Sequence, residues 1–170
     1  SSAASDVYKR QSPYAEKVSS YLVEVYMNTR SYDAALKSID RIAKPSAQIL
    51  EAKQKILFQL GTQSFANADF EQALKYLNQS IAIGQYNRQT KADAYYWCGE
   101  SYYRLNRMVE AARDFNAYLQ LTTQPNNEMY ALANYNLGYI AFHRKDYTQA
   151  SNYFQKYIQL EKGENTTALA

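Results

Sequence analysis

Apolar and polar positions along this chain follow the α-helical period in eight segments, which form four similar pairs. In the first segment of each pair, the apolar face repeats at spacings of three, four and seven residues. That face is Ser19, Leu22, Val23 and Tyr26; Leu57, Leu60, Gly61 and Ser64; Tyr95, Cys98, Gly99 and Tyr102; and Asn134, Leu137, Gly138 and Ala141. The pattern predicts helices at 13–29, 32–43, 47–66, 70–83, 88–104, 108–121, 126–143 and 147–161.

The second segment of each pair carries an alanine at a nearly constant interval. The alanines are Ala35, Ala73, Ala111 and Ala150, at separations of 38, 38 and 39 residues. Four residues after each comes a larger apolar residue, in order Ile39, Leu77, Phe115 and Phe154. Such a period indicates one structural unit repeated along the chain.

Three glycines follow the same period, each twelve residues ahead of its alanine: Gly61, Gly99 and Gly138. A glycine inside a helix costs up to about 1 kcal/mol relative to alanine. We therefore expect these glycines to allow close approach of a neighbouring helix. Short polar corners at 30–31, 68–69, 106–107 and 145–146 separate the two helices of each pair, and Pro45 and Pro125 fall between pairs.

Composition narrows the classes of function. The 170 residues carry a net charge of only +3, which favours neither nucleic acid nor an anionic membrane as a partner. No apolar stretch approaches the roughly 18 residues of a membrane span. With one cysteine, an intrachain disulfide is impossible. The chain begins at Ser1 without a secretory signal, so we expect a processed or excised chain.

Catalytic and cofactor signals are weak. His143 is the only histidine and has no second ligand or base at a recognisable spacing. Cys98 falls on the predicted packing face, where it is most simply a small apolar residue. The isolated glycines form no phosphate-binding loop. We expect no enzyme activity, no catalytic residue, no metal and no cofactor.

The repeated marks resemble the tetratricopeptide repeat, whose signature runs W-x2-L-G-x2-Y, then A-x3-F, then P. The third pair matches it with Tyr95, Cys98, Gly99 and Tyr102, followed by Ala111 and Phe115. The period of 38 or 39 exceeds the family's 34, and the closing proline is displaced or missing. The resemblance implies an all-α, right-handed superhelix of about four antiparallel helix pairs. We assign 1–11 to a flexible segment, 12–162 to the solenoid, with units 13–45, 46–86, 87–124 and 125–162, and 163–170 to the start of a truncated further repeat.

The stretch from Ala94 to Tyr103 is similar to the Y-W-L-G-E-x-Y-Y pattern of periplasmic tetratricopeptide proteins of bacterial envelopes. These include the Tol-Pal-associated coordinator and the outer-membrane assembly lipoproteins. The resemblance implies a non-enzymatic protein–protein interaction scaffold, with a periplasmic or cell-envelope location preferred. The alternative is a cytoplasmic adaptor in signalling or chaperone traffic.

In such a solenoid the first helices line the concave face, and we expect an aromatic groove there that binds an extended or helical peptide. Its residues are Phe58, Phe65, Tyr96, Glu100, Tyr103, Arg104, Tyr135, Tyr139, Phe142 and His143. Aromatic rings bury large areas at low entropic cost, and Arg104 and His143 are placed to bind a carboxylate or phosphate. The alternative is that some of these rings pack against the second helices.

Two other partners, a chaperone tail and single-stranded RNA, have less support from the sequence. The positions matching the family's clamp for chaperone tails are Ser20, Glu24, Phe58, Thr62 and Tyr96, which lack its lysines and asparagines. Arginines 104, 107 and 113 lie near tyrosines, a combination that can stack on single-stranded RNA, but no base-reading pair repeats.

The C-terminal end of the array predicts a further contact. No polar capping helix follows Leu160, although repeat arrays need one to cover their last apolar face. We therefore expect self-association through that face, which is formed by Tyr153, Phe154, Tyr157 and Ile158.

Overall fold

The computed structural model describes residues 13–169, which form eight α-helices and a short 3₁₀ turn and contain no strand. The helices are α1 (Pro13–Asn28), α2 (Tyr32–Asp40), α3 (Ala47–Ala66), α4 (Phe70–Ala82), α5 (Arg88–Arg104), α6 (Met108–Leu121), α7 (Glu128–His143) and α8 (Tyr147–Leu169), and the 3₁₀ turn is Gly84–Tyr86. Consecutive helices pair as four hairpins, so the predicted all-α repeat of helix pairs is confirmed.

Two helix ends differ from the prediction by more than two residues. Helix α2 ends at Asp40 rather than 43. Helix α8 continues to Leu169 rather than ending at 161. No proline follows Pro125, and a lone glycine at 163 costs only about 1 kcal/mol in a helix. The predicted flexible segment 1–11 lies outside the described residues, and the further repeat at 163–170 stays a prediction.

The four corners inside the hairpins share one backbone geometry. Arg30, Ala68, Asn106 and Lys145 have φ values of 56°, 60°, 59° and 64°. The next N–H donates to the carbonyl five residues back, as from Asp69 to Ser64 at 2.9 Å. This is the Schellman ending of a helix, in which the left-handed position usually belongs to glycine. Non-glycine residues occupy it in all four hairpins, at a cost of about 1–2 kcal/mol for Arg30, Ala68 and Lys145 and less for Asn106, since asparagine tolerates this conformation.

Replacing Ala68 by glycine is therefore expected to raise the free energy of unfolding by about 0.5–1 kcal/mol. The matched control is Ala66→Gly, two residues earlier in regular helix, which should lower stability by up to about 1 kcal/mol. Urea unfolding of both variants checks the sign. Equal losses in the two would contradict a left-handed conformation at Ala68.

The chain divides into two compact halves, Ser1–Thr90 and Lys91–Ala170. In the N-terminal half, α3 packs against α4, and it also packs against α2. The core cluster there joins Val23, Ala35, Ile39, Ile42, Ile49, Ile56 and Leu60. Gln54, fully buried in α3, donates from Nε2 to the Asn87 carbonyl at 2.8 Å, which fixes the connection after α4 to the core.

In the C-terminal half, α6 packs against α7, and α7 packs against α8. Phe115 and Tyr118 of α6 have no exposed surface, and Leu137 of α7 is 2% exposed. The carboxamide oxygen of Asn127 caps α7 by accepting from the Tyr130 N–H at 2.9 Å, and it also accepts from the Tyr118 hydroxyl at 3.1 Å. A polar cap therefore ties the start of α7 to α6.

The glycines have the packing role that the sequence predicts. A Cβ added at Gly61 would lie 2.5 Å from Leu77 Cγ, and one added at Gly99 would lie 2.8 Å from the Phe115 ring. At Gly138 the distance to the Phe154 ring would be 2.6 Å. The missing side chain is what lets the large residue of the second helix lie directly on the first helix.

Candidate partner-binding site

The exposed aromatic residues of the C-terminal half gather on α7. Tyr135, Tyr139 and Phe142 are 37%, 39% and 50% exposed, and their spacing of four and three places them on one face of the helix. With Phe154 of α8 they line a pocket of about 290 Å³, which we call the aromatic pocket. The structure thus brings together three of the four predicted groove residues of the fourth hairpin.

Ring contacts hold the aromatic pocket in shape. The Tyr135 ring centroid lies 5.1 Å from that of Tyr139 and 5.1 Å from that of Tyr157. Tyr139 also meets Phe154 edge to face at 5.7 Å. Such pairs contribute about 0.5–1.5 kcal/mol each beyond the area they bury. The exposed rings are therefore ordered before any partner arrives.

Of the two predicted polar residues, His143 borders the aromatic pocket without lining it, and Arg104 lies at the end of α5. His143 ends α7, and its ring centroid lies 6.0 Å from those of Tyr139 and Phe142. Arg104 is the last residue of α5 and is exposed. A cationic or hydrogen-bonding group beside exposed rings is suited to an anionic group on a partner.

Tyr96 is a correction, because the structure places its ring in the core instead of on a groove surface. It is 3% exposed and meets Phe115 and Tyr118 of α6 at centroid distances of 5.7 and 5.4 Å. Burial and the adjacent Glu100 raise the pKa of its hydroxyl, so Tyr96 stays protonated and donates to Glu100 Oε1 at 3.0 Å. The alternative, that some rings pack on the second helices, applies to this residue.

Glu100 is half-buried and fixed between the third and fourth hairpins. Besides the Tyr96 hydroxyl, its Oε1 accepts from Nδ2 of Asn136 at 2.7 Å. The carboxylate therefore holds α7 against α5. Tyr103, one turn on, is half-buried.

The predicted groove residues of the N-terminal half are Phe58 and Phe65. Phe58 and Phe65 are both half-buried, and Phe65 meets Phe70 edge to face at 5.3 Å. A larger cavity of about 560 Å³ lies between α1 and α3, lined by the polar Glu24 and by Met27, among others. Glu24 is also one of the positions that match the family's clamp for chaperone tails, and the sequence gave no sign of the α3 wall.

Arg107 and Arg113, two of the arginines predicted near tyrosines, make contacts within the chain. The guanidinium carbons of Arg107 and Arg113 lie 4.9 and 5.6 Å from the Tyr102 ring centroid. Arg107 pairs with Glu110 at 3.2 Å, and Arg113 pairs with the buried Asp114 at 3.0 Å. Each of these two arginines thus has both an aromatic and an acidic partner within the chain.

The chemistry of a catalytic or metal site has little basis in the described residues. Cys98 has no exposed surface, and burial raises the pKa of its thiol, so it stays protonated. Among the side chains that the structure describes, those of residues 14–163, no three histidine, cysteine or acidic groups come together as metal ligands. In the same part of the chain, no helix has the length and apolar character to cross a membrane.

Comparison with known proteins identifies two stretches of tetratricopeptide repeat, residues 58–128 and 131–163, which together cover more than half of the chain. No curated protein matches it.

Solved structures of MamA share the fold. A crystal structure of MamA has a TM-score of 0.60 at 20% identity, covering 86% of this chain and 78% of that one. A second has a TM-score of 0.56 at 17% identity, covering 92% and 97%. The RS-1 ArsTM double mutant of MamA has a TM-score of 0.57 at 17% identity, covering 93% and 82%. At these identities the likeness concerns the fold alone.

Proteins built from these repeats are in general non-enzymatic scaffolds for protein–protein interaction, and that general class of function is supported here. The four hairpins, their in-phase glycines and the two matched stretches all agree. The chain belongs to the tetratricopeptide repeat family.

Proposed function

We propose that this scaffold binds an extended or helical segment of a partner protein in the aromatic pocket of its C-terminal half. The observation that carries the proposal is the set of three exposed rings on one face of α7, next to Phe154. Isolated exposed apolar residues are ordinary on proteins, whereas a contiguous cluster marks interaction surfaces.

The energetics favour binding at this site. Each aromatic ring can bury about 150–250 Å². Because the rings already contact one another, little side-chain entropy is lost when a partner orders them further. The Tyr135 and Tyr139 hydroxyls can also hydrogen-bond a backbone.

The predicted polar residues would set the direction in which the partner segment lies in the aromatic pocket. We propose that Arg104 and His143 bind a carboxylate or phosphate flanking the segment that enters the aromatic pocket. Glu100 and Tyr103 then form the polar floor between them. Phe58 and Phe65 are proposed as a separate contact surface of the N-terminal half.

The test is selection from a displayed library of random linear peptides. Replacing Tyr135, Tyr139 and Phe142 together by alanine should weaken the selected peptides at least about tenfold, since buried aromatic anchors contribute more than about 1 kcal/mol each. The three rings are at least 37% exposed, so helicity should persist in circular dichroism.

A matched control removes three exposed apolar residues elsewhere, with Tyr14, Tyr21 and Val109 changed to alanine. This variant should bind the peptides as the unmodified chain does. Peptides that bind both variants equally, or a library that yields no binder, would refute the proposal.

We propose a periplasmic or cell-envelope setting, supported by the resemblance of residues 94–103 to envelope proteins of this family. A cytoplasmic adaptor in signalling or chaperone traffic is the alternative. An export signal or lipoprotein cysteine upstream of Ser1 in the gene would distinguish the two.

We also propose self-association through the last hairpin. Ile158 is 48% exposed, and Phe154 and Tyr157 are half-buried at the edge of the aromatic pocket. Tyr153, the fourth residue of this predicted face, donates its hydroxyl to Asn116 Oδ1 at 3.3 Å and so faces α6.

A further inference from the structure

The four first helices differ in one column of the repeat. Aligning Val23 with Gly61, Gly99 and Gly138 places Val18 in register with Ile56, Ala94 and Ala133. The last three have no exposed surface, whereas Val18 is 57% exposed. In the N-terminal half, Ile56 is buried in a cluster with residues of α2, the second helix of the preceding hairpin. On α3 this column is therefore part of the face by which the helix docks on the hairpin before it.

On α1 this docking face is apolar and open. Its exposed members are Tyr14, Val18, Tyr21 and Val25, at 78%, 57%, 68% and 37%. Their spacing of four, three and four places them on one stripe of the helix. Solvated faces of helices are ordinarily polar, so we define these four residues as the docking stripe.

The last hairpin leaves exposed the face on which a next first helix would dock. Position 154 corresponds to Ile39, Leu77 and Phe115, which are at most 2% exposed, whereas Phe154 is half-buried. Tyr135 corresponds to Tyr96, and their exposures are 37% and 3%. Two of the four residues of the aromatic pocket, Tyr135 and Phe154, thus have counterparts in the third hairpin that are buried.

An internal contact shows what covers such positions. Asn136 of α7 donates to Glu100 of α5 at 2.7 Å, where the fourth hairpin docks on the third. In the repeat alignment Glu100 corresponds to Tyr139, and Asn136 corresponds to Tyr21. A copy of α1 that continued the repeat would thus place Tyr21 against Tyr139, one ring on another.

We propose that the aromatic pocket of one copy of this chain receives the docking stripe of a second copy, so that copies join head to tail. The second copy's α1 then takes the place of a next first helix, in the register that α3 uses on α2 and α7 uses on α6. This inference rests on the proposed function, because it names a second copy as an occupant of the aromatic pocket. Joining and peptide binding exclude each other at that pocket.

The test uses two variants of the full 170-residue chain and their mixture. The head variant carries Val18→Glu and Tyr21→Glu, and the tail variant carries Tyr139→Glu and Ile158→Glu. All four side chains are exposed by at least 39%, so both variants should keep their helicity in circular dichroism. Sedimentation velocity is measured from about 1 µM to about 1 mM, the range in which weak interfaces associate.

We expect the mass of the unmodified chain to rise with concentration, while each variant alone stays at 19.6 kDa. An equimolar mixture should stop at twice that mass, because the intact pocket of the head variant can receive the intact stripe of the tail variant. A monomeric unmodified chain overturns the inference, and so does a head variant that associates as strongly as the unmodified chain, which would mean that last hairpins pair with each other.

Peptide binding by the head variant distinguishes a failure of the head-to-tail inference from a failure of the proposed peptide function. The head variant keeps the whole aromatic pocket and should bind library-selected peptides as the unmodified chain does at low concentration. If it does so while the unmodified chain is monomeric, only the head-to-tail inference fails. If it binds no peptide although the copies associate, the proposed peptide function fails instead.

Discussion

Replacing Phe115 by alanine is expected to lower the free energy of unfolding of the C-terminal half by about 3–5 kcal/mol, the largest effect of any substitution considered. Phe115 has no exposed surface, and its ring lies 5.7 Å from that of Tyr96. It also covers Gly99, where no side chain could fill the resulting space. The variant would lose the ring's burial and leave a cavity between α5 and α6.

Urea unfolding followed by circular dichroism measures this loss. The matched control is Phe142→Ala, in which a phenylalanine that is 50% exposed is removed from α7. Because half of that ring already meets water, the control should cost far less than Phe115→Ala. Similar losses in the two variants would mean that Phe115 does not anchor the third hairpin.

Replacing Gly99 by alanine should destabilise the chain, although alanine is the better helix former. The added methyl would lie 2.8 Å from two atoms of the Phe115 ring, which is buried and cannot swing into solvent. Overpacking of this kind costs about 1–3 kcal/mol, against a gain in helix propensity of up to about 1 kcal/mol. We expect a net loss of about 1–2 kcal/mol.

Gly163 provides the opposite control within the same half. It lies in α8 with nothing within 4 Å of the position of an added Cβ. Gly163→Ala should therefore gain up to about 1 kcal/mol of helix propensity. A second check combines Gly99→Ala with Phe115→Leu, since a smaller, branched partner should make the two losses less than additive. A gain for Gly99→Ala would refute the close approach of α5 and α6.

Periodicity was sufficient to predict the helices and the role of the glycines. The helical spacing and the interval of 38 or 39 residues depend only on local sequence, so they located all eight helices to within a few residues, apart from the extension of α8. The corners were located as well. Their left-handed backbone was not predicted. Glycine usually occupies this conformation, so Arg30 and Lys145 give no sign of it in the sequence.

The site was predicted in part, for a physical reason. Tyr96 and Tyr135 occupy the same column of the repeat and look alike in sequence. One is buried and the other exposed, because exposure depends on whether a further hairpin covers that column. The pairing of Glu100 with Asn136 is 36 residues distant in the chain and has no local signal. The local sequence pattern therefore identified the predicted groove residues. Only tertiary packing decides which of their rings are exposed to a partner.

Fluorotyrosine NMR of the chain with a library-selected peptide shows directly whether the peptide binds in the aromatic pocket, since tyrosine resonances can be assigned with single Tyr→Phe variants. Binding at the aromatic pocket predicts that, at a concentration where the chain is monomeric, the resonances of Tyr135 and Tyr139 shift on peptide addition. That of the core residue Tyr96 should shift less, and those of Tyr14 and Tyr21 in the N-terminal half should stay in place. Shifts confined to Tyr14 and Tyr21, with Tyr135 and Tyr139 unchanged, would contradict it.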